Sequence, residues 1–399
     1  MNIFNSLGSN YDFRFVLESL FSIGNAKSAE KLKSYLSHKY PGRVILVYKG
    51  REAIRLALTL LGLPKGSKVA VTGYTCYAVY KAVIDAGCDV EYLDVDNLDL
   101  NFSPATLQAA LQKNPSVKVL IIQNTLGYPC DVEKVVKICK QKGVILIEDL
   151  AHSAGTQYKN NLEAGLTGDL VTLSFSQDKI IDAISGGALI IKDPKYQNTS
   201  SVALTSTALR QQVIDRLYPL FTYLIRRTYQ GGAGKLLHAL LKKAGFLSLP
   251  LGNQNRDGLH SLPSWYCHLA LLQFQKLSEN IRHRQEIASI YVRNLNPKLL
   301  SGTLTQDILN STNLRFPIFV KDRDRLVTYL KGQGIYVSDI WYDAPIAPKK
   351  YLGLTNYQHQ CPEAERASSQ ILNLPTHRNV SPTQAKEIAE RINQWLMLQ

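Results

Sequence analysis

Between residues 44 and 195 the apolar positions of this chain alternate between two periods. Residues 51–61 place Ala53, Ile54, Ala57, Leu58 and Leu61 on one helical face, and Pro64-Lys-Gly66 ends that helix. Short apolar runs at 69–71, 90–95, 117–122, 144–147, 170–175 and 188–191 have the length of buried strands. Between them, 77–86 reads as a helix. Ser103 caps another, with Pro104 in its first turn, and 131–141 forms a third that stops at Gly143. Buried strands separated by helices predict an α/β fold, a mainly parallel sheet with helices on both faces. Ligands of such sheets bind beyond the carboxyl ends of strands. Asp149, Ser174 and the turn at Gly73 all fall at such ends.

The pattern changes at 200–260. Arg210, Arg216, Arg226, Arg227, Lys235, Lys242 and Lys243 face a single acid, Asp215, in the stretch 200–250, among apolar runs at 217–225 and 236–241. Short basic, apolar helices fit two situations. They can pack on the protein or on a second subunit, or 205–250 can touch an anionic membrane surface. Residues 264–295 then read as one long helix. Beyond it come a strand at 314–320, a helix at 324–331, a strand at 335–340 and a final helix at 383–396. The expected division is a large domain over 1–285, carrying the 200–260 insertion, and a small α+β domain over 286–399.

Composition narrows the class of partner. A 399-residue chain that is 45% hydrophobic and 20% charged has the make-up of a globular protein, not a disordered one. The net charge of +14 suits phosphorylated small molecules or an anionic surface. No zinc-finger spacing or aromatic RNA-binding motif accompanies it, so no nucleic-acid partner and no metal site is expected. The six cysteines form no CxxC pair and read as reduced thiols of a cytoplasmic protein. The first eleven residues lack the basic flank and apolar stretch of a signal peptide, and no apolar run is long enough to span a membrane.

The chemistry centres on Lys179. It follows the run 173–178 and precedes the small, flexible Ser185-Gly-Gly-Ala188. Thirty positions upstream (179 − 149) an apolar strand ends in Glu148-Asp149. A lysine in a turn after one strand and an acid at the end of another suit pyridoxal 5'-phosphate. That cofactor needs an amine for a Schiff base and a carboxylate to keep its ring nitrogen protonated. Gly50, Arg51 and Glu52 open the first helix and offer backbone N–H groups to a phosphate, and Ser174 offers a hydroxyl.

An ordered set of segments then resembles a known family. Gly50-Arg-Glu-Ala-Ile-Arg-Leu-Ala-Leu58, Gly73-Tyr-Thr-Cys76, Gly127-Tyr-Pro-Cys-Asp131, Glu148-Asp-Leu-Ala-His152, Ser174-Phe-Ser-Gln-Asp-Lys179 and Gly186-Gly-Ala188 occur in the order of the DegT/DnrJ sugar-nucleotide aminotransferases. These are fold-type-I pyridoxal-phosphate enzymes with a seven-stranded-type sheet. Tyr336-Val-Ser-Asp-Ile-Trp-Tyr342 and Leu372-Asn-Leu-Pro-Thr-His377 extend the match. The resemblance implies that Lys179 carries the Schiff base and shuttles protons, Asp149 pairs with the ring nitrogen and His152 contacts the ring hydroxyl. It implies a keto sugar on a nucleotide carrier as substrate, an amino-acid donor such as glutamate, and a homodimer. The chain departs from the family where Arg51 replaces Thr or Ser. It departs again where Cys76, followed by Tyr77, stands at the place of a ring-stacking aromatic. Gly252-Asn-Gln-Asn-Arg256 resembles the segment that reaches the neighbouring subunit's phosphate, which makes Asn253 and Asn255 candidates. Lys179 argues against the related dehydratases, which lack this lysine. Another fold-type-I reaction on a lipid-linked or acyl substrate is the alternative, and a non-enzymatic scaffold a third.

Overall fold

A computed structural model describes residues 2–96, 99–197, 202–249, 258–338 and 341–398. Its main sheet contains nine strands: β1 (Arg43–Val47), β2 (Lys68–Thr72), β3 (Asp89–Leu93), β4 (Val117–Ile122), β5 (Ile145–Asp149), β6 (Leu170–Ser174), β7 (Gly187–Ile191), β8 (Thr205–Ser206) and β9 (His260–Ser261). Their spatial order is β8-β9-β1-β7-β6-β5-β4-β2-β3. From β6 to β3 every pairing is parallel, whereas β7 runs antiparallel to both β6 and β1. The mainly parallel sheet expected from the apolar runs is therefore present. Along β4, Leu120 and Ile122 enter one apolar cluster, while Val119 and Ile121 enter another on the opposite face. Burial on both faces explains why the strand reads as a continuous apolar run from Val119 on, after the exposed Lys118 at its start.

The helices follow their local signals. Ser103 accepts from Thr106 N–H ahead of Pro104–Lys113, and Asp131 from Lys134 N–H ahead of Val132–Lys142. Gly143 closes the latter helix at φ 65°, a left-handed position that glycine adopts without strain. Two helices before the sheet, Phe13–Phe21 and Ala26–Lys39, escaped the sequence reading although Asp12 and Asn25 cap them.

Three expectations need correction. Residues 264–295 form two helices, Ser264–Gln275 and Leu277–Asn294, separated at Lys276. Leu269, Ala270 and Phe274 pack in the large core, whereas Ile287, Ala288 and Tyr291 pack in a third cluster built mainly from residues after 287. The break at Lys276 lets one apolar stripe serve two cores, and no glycine or proline announces it. The insertion holds a 20-residue helix, Leu209–Thr228, where short ones were expected, and Ala233–Lys243 follows it. The longer helix runs through a buried Pro219, a residue that ordinarily ends a helix. The strand expected at 335–340 is only Ile335–Tyr336, which pairs with Ile3–Phe4, and residues 339–340 lie outside the described residues. Phe316–Phe319 pairs antiparallel with Ile371–Leu374, and Pro382–Met397 covers them with a full capping box at Ser381 and Gln384.

Candidate active site

The carboxyl ends of β4, β5 and β6 open into a cavity of about 610 Å³. Gly50, Arg51, Cys76, Asp149, His152, Ser174 and Lys179 all line it. These seven sequence-selected residues come from four segments, and the sheet's topology brings them together.

A tightly bonded loop carries Lys179. After β6, Phe175 N–H donates to Gly186 O (2.8 Å), and Lys179 N–H donates to Ser176 O (3.3 Å). Asp182 pins the loop from within. Its carboxylate accepts Asp178 N–H (2.8 Å), Ile184 N–H (3.1 Å), Tyr11 O–H (2.7 Å) and the Asn10 amide (3.1 Å). Asp178 and Ile184 both take positive φ, 60° and 72°, which L-residues adopt only when the surroundings enforce it. Asp182 supplies that enforcement, and sequence reading missed it because two of its donors lie about 170 residues away.

The Lys179 amine lies 3.0 Å from His152 Nε2. The other ring nitrogen, Nδ1, accepts Leu126 N–H at 3.2 Å. Nδ1 is therefore unprotonated, so Nε2 carries the hydrogen of the neutral ring and donates to Lys179 Nζ. Leu126 is itself held at φ 54° beside Asn124 at φ 49°, in a turn that aims its N–H at the imidazole. Asn124 fixes the turn by accepting Cys130 N–H and donating to Tyr158 O–H. Burial pushes the histidine pKa well down, and the Lys179 and Arg315 charges push the same way. Burial also pushes the Lys179 amine below its ordinary value, against the opposing pull of Cys76 and Asp149. Burial thus acts on both groups in the direction of the neutral form, and a neutral amine is the nucleophilic one.

Asp149 ends β5 and is buried. Its carboxylate accepts Ala151 N–H at 3.1 Å and a long contact from Thr172 O–H at 3.5 Å. Burial raises its pKa, while those donors and the Lys179 charge work against the rise. A buried carboxylate with only two donors has lone pairs left for a cationic N–H, as the pyridoxal ring would offer.

The phosphate end fits as well. A Cβ on Gly50 would sit 2.6 Å from Ser174 Cβ, and one on Gly187 would sit 2.9 Å from Gly50 Cα. Only glycines allow this close packing of a helix start against a serine hydroxyl, the donor set that a phosphate needs. Cys76 caps the helix Tyr77–Asp85 and accepts Ala78 N–H; burial raises its thiol pKa.

Two selected residues stand elsewhere. The Glu52 N–H is spent on Lys49 O, and its carboxylate holds His260 N–H (3.0 Å) and the His260 ring (3.1 Å). Tyr77 is absent from the cavity lining and stacks on Tyr351 at 4.9 Å. Asn253 and Asn255 lie outside the described residues.

Other cavity residues were not selected. Trp341 lies under the Lys179 amine, 4.3 Å from its ring centroid, and its own ring is 5.6 Å from that of His152. Tyr342 O–H meets Gln123 Nε2 (3.1 Å) and approaches His152 Nδ1 (3.4 Å). Lys49, also in the lining, donates to Ser185 Oγ at 2.7 Å, and that hydroxyl donates to Asp215 at 2.8 Å. Asp215 further accepts Tyr48, Tyr266, Gln211 and Ser248. Burial alone would raise its pKa; the Lys49 charge and the hydroxyl donors outweigh that and hold it below the ordinary value. The lone acid of the basic insertion is thus a buried hub behind the phosphate end of the cavity. Its isolation among basic residues was the available signal.

This architecture is shared with solved aminotransferases. Helicobacter pylori PseC, an aminotransferase involved in the biosynthesis of pseudoaminic acid, superposes with TM-score 0.72 at 18% identity, with 100% of each chain covered. The chain belongs to the DegT/DnrJ/EryC1/StrS aminotransferase family, whose model matches residues 22–219 and 260–393. It is 26% identical over 363 residues to the dTDP-4-dehydro-2,3,6-trideoxy-D-glucose 4-aminotransferase of Saccharopolyspora spinosa, covering 88% of this chain and 83% of that one. It is 25% identical over 356 residues to a pleiotropic regulatory protein of Geobacillus stearothermophilus, covering 87% and 83%.

Proposed function

We propose that this protein is a homodimeric, pyridoxal-phosphate-dependent aminotransferase that converts a keto sugar on a nucleotide carrier to an amino sugar, with glutamate as donor. The observation that carries the reading is the 3.0 Å contact of Lys179 with His152 beside a buried Asp149 in one cavity. Gly50, Arg51 and Ser174 would hold the cofactor's phosphate and Asp149 its ring nitrogen. When bound, the cofactor supplies a conjugated ring that takes up the electron pair left as a proton departs from the neighbouring carbon. Lys179 Nζ, its pKa lowered by burial, would hold the cofactor and would take and return that proton. His152 Nε2–H orients the Nζ lone pair, and Trp341 covers the amine from solvent. The nucleotide-sugar substrate is supported by the activities of relatives, including a GDP-perosamine synthase of Escherichia coli O157:H7 at 24% identity.

The test is spectroscopic. Protein loaded with pyridoxal phosphate is mixed with glutamate, and the absorption of the aldehyde form should convert to that of the amine form. Keto sugar nucleotides should restore it. Conversion by no amino acid would favour a lyase or acyl-transferring reaction, and an unchanged spectrum in Lys179→Ala would exclude the assignment.

The insertion supports a peripheral contact with anionic membranes. The family match omits residues 220–259, and Leu236 and Leu240 stand 63% and 56% exposed on Ala233–Lys243 beside Lys235, Lys242 and Lys243. Among the described residues no helix is long and apolar enough to cross a membrane.

A further inference from the structure

A second cavity, of about 200 Å³, lies behind the helix Gly50–Leu60. Lys49, Arg51, Leu247 and Leu249 line both cavities, so the two adjoin. The second is markedly basic: Arg51, Arg55 and Arg210 converge on it together with Lys49. Its two acids are engaged elsewhere, Glu52 with His260 and Asp85 with Lys81. Among the described residues none of the three guanidinium groups has a carboxylate within ion-pair distance, nor any side-chain hydrogen bond.

This arrangement works against the fold. Arg51 and Arg55 are four apart on one helix, a like-charge spacing that costs about 0.2–0.5 kcal/mol on its own, and Arg210 of Leu209–Thr228 is brought up to them. An anion would relieve the repulsion, and guanidinium forks suit phosphate oxygens bidentately. The space is enough for a phosphate or diphosphate group. One wall is apolar, with Ile214, Leu247 and a 57% exposed Leu249 at the edge.

We propose that Arg55 and Arg210, joined by Arg51 from the adjoining phosphate cradle of the cofactor, form a second anion site that takes the diphosphate group of an organic ester. The ester could be a nucleoside diphosphate or an isoprenoid diphosphate; the shared chemistry is the diphosphate, and the apolar wall would add affinity for an attached chain. The site does not depend on the reading of Lys179.

Titration calorimetry on cofactor-loaded protein, in which the cradle is already filled, tests it with three probes: inorganic pyrophosphate, UDP and farnesyl diphosphate below its micellar concentration. Pyrophosphate should bind, more weakly as salt rises. Arg55→Gln and Arg210→Gln should each weaken it about 10-fold or more, the loss expected for a charged hydrogen bond. Arg55→Lys should recover part of that loss. Tighter binding of farnesyl diphosphate than of UDP identifies an isoprenoid ester, the reverse order a nucleotide, and equal affinity a free diphosphate. Absence of binding at millimolar pyrophosphate, or binding unchanged in both glutamine variants with thermal stability intact, overturns the proposal.

Discussion

His152 Nε2 stands 3.0 Å from Lys179 Nζ, and the opposite ring nitrogen is committed to the Leu126 N–H. The histidine can donate to a neutral lysine but cannot accept from a charged one, so the contact favours the uncharged amine. His152→Phe removes that preference. The pH profile of cofactor attachment should move to higher pH, and the rate at pH 7 should fall by about tenfold, the effect of one lost hydrogen bond to the reacting group. Stopped-flow absorbance after mixing with pyridoxal phosphate measures it, and an unshifted profile would show that His152 only fills space.

The depressed Lys179 pKa also bears on stability. The unfolded chain regains the ordinary lysine value and holds the extra proton in the window between the lowered pKa and 10.5. Stability of the cofactor-free protein therefore rises with pH across that window. Urea unfolding of wild type and Lys179→Met from pH 7 to 10 should show wild type gaining relative to the variant. A constant difference would mean that the amine is charged in the fold.

Gly50→Ala places a methyl group 2.6 Å from Ser174 Cβ. Cofactor affinity should drop at least about tenfold, equivalent to 1.4 kcal/mol, because the helix start must retreat from the serine. Equilibrium dialysis gives the dissociation constant. Unchanged affinity would place the phosphate elsewhere.

Asp215→Asn removes the carboxylate that Lys49 reaches through the Ser185 hydroxyl. Losing the charged acceptor of this buried network should cost about 1.5–3 kcal/mol, and adding Lys49→Met should recover part of it. Chemical denaturation of the two single variants and the double variant forms the cycle. Strict additivity would mean that the two residues do not communicate through Ser185.

If Ala233–Lys243 touches membranes, the wild type should float with vesicles rich in phosphatidylserine and stay unbound with neutral ones. Leu236→Asp with Leu240→Asp should abolish flotation while leaving transamination intact. Equal flotation of both proteins would remove this helix from the contact.

Much of the site was legible because a buried strand announces both itself and its end. The runs preceding Asp149 and Ser174 are apolar on both faces, and the first polar residues beyond them mark the carboxyl edge where ligands sit. Lys179 was readable for the same reason, since it follows that edge by five positions. Glu52 and Tyr77 were misplaced because sequence gives a helix start but not which of its groups face the cavity. Cap and rotation settle that, and they turn Glu52 toward His260 and Tyr77 toward Tyr351.

The chain by itself determined the layered α/β fold, the order of its strands along the sequence and the place of Lys179 and Asp149 at strand ends, because periodicity and strand ends are local properties. Only the tertiary structure decided the surroundings of these two residues and their supports. His152 reaches Lys179 from another strand end, Tyr11 and Asn10 reach Asp182 from the N-terminus, Trp341 arrives from beyond residue 340, and Asp215 backs Lys49 from the insertion. These contacts join residues 27 to 172 positions apart, and their energies arise from desolvation and charge at close range. Neither exists until the chain has packed.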